Sequence, residues 1–160
     1  MFIRHRHPGD GRYSLVIPRE LYPRGICCYK KMDKQSDIPQ FEKLEQQLHS
    51  FLAEISTLST KKPNDPLNKF KLKFINSTLA GLNRLLQDDR PFPDFDQFDP
   101  DDLPSNSDVV VILSQYAAAV YRFRVENTIQ DDDRNHYWII RGKASDLLAG
   151  NPDRFKYEPK

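Results

Sequence analysis

The stretch SDVVVILSQYAAAVYRFRVENTIQ, residues 107–130, decides how the rest of the chain is read. Val109 to Leu113, Tyr116 to Tyr121, Phe123 and Val125 put apolar side chains on nearly every face of a helix, and a helix that is apolar all round is a buried one. Its length argues against a strand, which usually runs roughly 3–10 residues. Ala117, Ala118 and Ala119 favour helix, whereas Val109 to Ile112 alone would favour strand. The stretch is therefore read as the central helix of a bundle, over 107–129.

Downstream, Asp131-Asp132-Asp133 supplies a turn and a negatively charged start that suits a helix dipole, so a last helix is expected over 133–149. Tyr137, Ile140, Ala144 and Leu147 or Leu148 form its inner face, with Gly142 as a weak point and Gly150-Asn151-Pro152 as the stop. Upstream, Phe41, Leu44, Leu48, Phe51, Leu52, Ile55 and Leu58 recur at steps of three and four, marking a helix over 38–59 with Asp37 as its N-cap. The next helix, over 65–87, is capped by Asn64 or Asp65 and holds Pro66 in its first turn. Its buried stripe is read as Leu67, Phe70, Phe74, Ile75, Thr78, Leu82, Leu85 and Leu86.

The sequence thus predicts a mainly α protein: a single domain built as a four-helix bundle over 36–150, with an N-terminal β-hairpin arm over 1–35 and a polar tail over 151–160. In the arm, Phe2 to His7 and Arg12 to Ile17 flank Pro8-Gly9-Asp10-Gly11, which has the composition of a reverse turn. A chain of 160 residues fits one domain. Twelve prolines against six glycines point to extended, stiffened connections.

The net charge of +1 gives the whole molecule no bias toward nucleic acid or an anionic membrane, so any bias is local. Residues 1–35 carry eight Lys and Arg against three acids, an excess of +5, with Tyr13, Tyr22 and Tyr29 among them. From Pro91 to Ser107 there are five aspartates and no base. No apolar run approaches the roughly 20 residues of a membrane span, and Met1 to His7 lacks the apolar core of a signal peptide. The expected location is cytoplasmic. Cys27 and Cys28 are adjacent, so a bond between them closes almost no loop, and they are read as reduced thiols.

Most candidate sites resolve to ordinary structure. Asp94, Asp96 and Asp99 are hard oxygen ligands at short spacing, yet no glycine or glutamate falls where a calcium-binding EF-hand loop needs one. His5 and His7 share one face of a strand but lack a third ligand and stand among arginines. Arg134 and His136 are only two apart, not the spacing at which a helical nuclease sets its pair. Arg122 and Arg124, in an otherwise apolar helix, each call for an acidic partner or a route to water, and Glu126, Asp131 to Asp133 and the acidic loop are available.

No enzyme motif, cofactor or metal is expected. The leading expectation is a non-catalytic protein-interaction module or small assembly subunit. It would use the basic arm and the acidic-aromatic loop over 88–106, with Phe92, Phe95, Phe98, Asp94, Asp96 and Asp99 meeting a protein partner. The alternative is a nucleic-acid-binding accessory subunit of a ribonucleoprotein or defence complex, using Arg4, Arg6, Arg12, Lys30, Lys31, Lys69, Lys71 and Lys73.

Overall fold

A computed structural model of the chain describes residues 32–157 in full and the backbone of residues 3–6 and 13–16. The chain forms two compact units, one of Met1–Asp37 with Arg124–Arg154 and the other of Ile38–Phe123 with Phe155–Lys160. The elements, in order, are β1 (Ile3–Arg6), β2 (Tyr13–Val16), α1 (Asp37–Lys61), α2 (Lys69–Leu86), α3 (Asn106–Glu126), β3 (Thr128–Gln130), β4 (His136–Ile140) and β5 (Lys143–Leu148). β1 and β2 pair antiparallel, Ile3 opposite Val16.

The expected four-helix bundle does not form. Among the described residues there are three α-helices and a three-stranded antiparallel sheet of order β3-β4-β5, and residues 133–149, expected as the last helix, make the β4–β5 hairpin. His136-Tyr137-Trp138-Ile139-Ile140 is a β-branched and aromatic run that suits a pleated strand. Ile140 pairs with Lys143, leaving Arg141 and Gly142 as a two-residue connection with φ of 50° and 74°. Positive φ at both central residues is the tight hairpin turn whose twist matches that of the strands. Gly142 is thus a designed corner of the sheet and not a flaw in a helix. The helix expected to reach 129 stops at Glu126, because Thr128 to Gln130 pair with His136 to Trp138.

In the sheet unit, Met32 makes a parallel bridge to Ile140 and its amide donates to the Asn127 side chain at 3.1 Å. The Asn127 carbonyl accepts from Ile139 at 2.8 Å, so one residue after α3 is bonded to two other segments. Arg124 is fully buried, donates to the Ala149 carbonyl at 2.6 Å and lies 4.8 Å over the Trp138 ring. The Asp131 carboxyl accepts from the Asn135 amide, closing the β3–β4 turn. Desolvation acts to raise its pKa, but hydrogen bonds from Asn135, Asp133 and Tyr137 together hold it below the ordinary carboxylate value.

In the helical unit, α1 and α2 run antiparallel: Thr78 reaches Gln47 and Lys71 reaches Glu54, so the partner number rises on one helix as it falls on the other. A Cβ on Gly81 would lie 2.8 Å from a Leu44 methyl, so the helices approach closely at a point where α2 has no side chain. Phe41, Leu44, Leu48, Leu52 and Ile55 of α1 form its buried stripe, and the Phe41 ring meets Phe123 of α3 at 5.2 Å.

Two readings of the helices change. α2 begins at Lys69 and not at 65, because Asn68 caps it by accepting from the Phe70 amide at 2.8 Å. Pro66 lies outside it, in a bridge to Ser105, and Leu67 donates to the Pro104 carbonyl at 2.9 Å. Nor is α3 apolar-buried on every side: Val111 is 58% and Val125 44% exposed, while Val109, Leu113, Tyr116, Val120 and Phe123 face inward. In a three-helix unit only one broad side of α3 is covered, and single valines in water are ordinary.

Gly142→Ala is expected to lower stability by about 1–2 kcal/mol, because an L side chain at that φ is strained. Urea unfolding followed by circular dichroism measures it. An unchanged midpoint would mean the hairpin does not depend on a left-handed corner.

Candidate interaction surface

α2 has two working faces. Leu72, Ile75, Leu79, Leu82 and Leu86 recur at steps of three and four and complete the buried stripe. Phe70 and Phe74, expected in that stripe, lie outside it: they are 70% and 45% exposed, and their rings pack edge to face with centroids 4.9 Å apart. The stripe is full without them, which is the physical reason they remain in water. A continuous leucine–isoleucine run beginning at Leu72 was the signal that could have separated them from the core.

The second face carries the segment 88–105 as a strap. Lys69, Asn76 and Asn83 are spaced by sevens on α2, hence on one face. Asn83 donates to the carbonyls of Phe95 and Asp96, at 3.4 and 3.1 Å. Asn76 bonds Phe98 twice, donating to its carbonyl at 2.8 Å and accepting from its amide at 3.0 Å. Lys69 reaches Asp101 at 3.4 Å. Seven helical residues advance about 10.5 Å, and three extended residues advance about 10 Å. The strap therefore runs back along α2 in step with it.

That pairing also explains the aromatic spacing. With anchors at Phe95, Phe98 and Asp101, Phe92, Phe95 and Phe98 form a ladder of edge-to-face rings at 6.3 and 5.0 Å. Phe98 is buried at 8% exposure, and Phe92 and Phe95 are half-buried. Arg90 closes the near end, binding Asp96 at 2.9 Å and the Pro93 carbonyl at 2.6 Å. Asp94 and Asp99 face water, and the Asp99 carboxyl accepts from the Asp101 amide at 2.8 Å.

Tyr116 of α3 ties the strap to the core. Its hydroxyl donates to the Asn83 side-chain oxygen at 2.6 Å. Burial, the leading cause, pushes its phenol above the usual value, against the opposing effects of the Asn83 hydrogen bond and the Arg90 charge, and the nearby Asp96 charge adds to the rise.

The lysines proposed for nucleic acid separate into different roles. Lys69 is paired with Asp101 and Lys71 with Glu54, whereas Lys73 is exposed with no ion pair among the described residues. The side chains of Arg4, Arg6, Arg12, Lys30 and Lys31, like Cys27 and Cys28, lie outside the described residues. Among the described residues no group of three or more His, Cys, Asp or Glu is gathered in a way that could hold a metal. Arg122 is exposed, and His136 opens β4, 3.3 Å from the Gln130 amide nitrogen.

Asn76→Ala removes both bonds to the Phe98 backbone and is expected to cost about 1–3 kcal/mol. It should also speed proteolysis between residues 92 and 103; unchanged cleavage would mean the strap is held by its rings alone. Because the folded Tyr116 phenol titrates above its unfolded value of about 10, its contribution is complete below pH 10 and is lost as pH rises through the folded value. Tyr116→Phe should flatten the fall in stability above pH 10, read from urea midpoints against pH; an equally steep fall in the variant would assign it to other groups.

Comparison with protein-family models, with curated proteins and with solved structures finds no match.

Proposed function

We propose that the chain is a non-catalytic protein-interaction module, a small assembly subunit whose rigid helices present aromatic surface to another protein. The solvent-facing Phe70–Phe74 pair carries this reading. Two large rings held together in water, on a helix whose core stripe is already complete, are costly to leave uncovered and are the residue type that anchors interfaces.

The strap supports the same reading from its other side. Asp94 and Asp99 reach into water from a backbone fixed to α2, so a partner meets carboxylates on a support that needs little further ordering. The basic segment 1–35 supplies, by composition, a second surface of opposite sign. A cytoplasmic setting belongs to the proposal and draws on the adjacent Cys27 and Cys28, whose pairing would constrain little.

The test is site-specific photocrosslinking in the cells that make the chain. Benzoyl-phenylalanine replaces exposed Ser77, beside the aromatic pair, or exposed Asp132 in the β3–β4 turn as control. A covalent adduct to another polypeptide from Ser77 and none from Asp132 is the expected result. No adduct from Ser77, or equal adducts from both positions, would sink the reading.

A further inference from the structure

We infer that the exposed face of α2 docks an acidic, amphipathic segment of a partner protein, its apolar anchor set against Phe70 and Phe74 and its carboxylates on Lys73 and Arg84. This rests on the protein-interaction reading and adds the chemistry of the partner. α2 carries three lysines, one arginine and no acid. Two of these charges are met within the chain, Lys69 by Asp101 and Lys71 by Glu54. Lys73 and Arg84 are exposed and form no ion pair among the described residues.

Helical spacing places the unmatched charges beside the unmatched rings. Phe70, Lys73, Phe74, Ser77, Ala80 and Arg84 follow one another at steps of one to four along the exposed side of α2. The strip is aromatic toward its start, cationic at Lys73 and Arg84, and small at Ser77 and Ala80, where a partner backbone can come close. Whatever covers it must bring apolar surface for the rings and negative charge for two cations.

Two other occupants fit less well. A second copy laid α2 against α2 would set Lys73 and Arg84 against cations, with no acid on that helix to relieve them. A nucleic acid would match the cations, but its phosphates would run past Asp94, Asp99 and Asp102, exposed on the strap that follows the same helix. An acidic amphipathic segment can place a few carboxylates on the two cations and turn its apolar side to the rings, so it brings less negative charge past the strap than a run of phosphates does. The strip is small, so the complex belongs with transient interfaces that bury less than about 1,200 Å².

The test uses the full chain and three fluorescent probes: a short helical peptide of leucine and glutamate, the same peptide with lysine for glutamate, and an oligouridylate. Anisotropy titrations should show binding of the glutamate peptide and none of the lysine peptide. Phe74→Ser and Lys73→Glu should each weaken binding about tenfold, and Lys143→Glu, exposed on the sheet unit, should leave it unchanged. Both α2 substitutions are at exposed positions, and circular dichroism checks that the variants fold.

The inference is overturned if the glutamate peptide does not bind, or if its binding ignores both α2 variants. Oligouridylate binding that Phe74→Ser abolishes would overturn it in favour of nucleic acid. If the glutamate peptide fails while the Ser77 crosslink to a polypeptide persists, the acidic partner falls and the interaction module stands. If the crosslink fails, both fall.

Discussion

The match in rise between a helix and an extended chain underlies the helical unit. Residues 88–105 have no strand or long helix of their own to satisfy their backbone groups, and such groups must find partners elsewhere. Asn76 and Asn83 provide them from α2, because an amide side chain offers a donor and an acceptor at once. Their seven-residue spacing equals three residues of strap. Phe95 and Phe98, three residues apart, therefore each meet an asparagine of α2, Phe92 stacks on Phe95, and one long loop becomes part of the packed structure.

Asn83 is the more connected of the two, since its oxygen also takes the Tyr116 hydroxyl. A single amide thus joins α2, α3 and the strap. The acidic face of the molecule is positioned by buried or half-buried polar groups, while its carboxylates remain hydrated. Charge and position are controlled by different atoms of the same segment.

Much of the helical unit was legible in the sequence, because α1 and α3 repeat apolar residues at helical spacing over more than 20 residues each. Residues 133–149 are ambiguous in the sequence for a physical reason: Tyr137, Ile140 and Ala144 fit a helical stripe, but period alone does not separate a short β-branched run from a helix. Arg141-Gly142 decides it, and an arginine at positive φ is a signal composition does not carry. Phe70 and Phe74 differ from their expected place in the stripe because apolar character does not by itself put a residue inside. The strap anchors were the least visible, since two asparagines a heptad apart on a helix look like ordinary polar surface until the chain that returns to them is in place.

Trp138 is the chain's only tryptophan, fully buried in the sheet unit with a guanidinium over its ring. The helical unit has none. Red-edge excited emission from this protein therefore reports on the sheet unit, including the end of α3 whose Arg124 covers the ring, so a comparison with far-ultraviolet ellipticity, which the helices dominate, follows melting of the two units without a label.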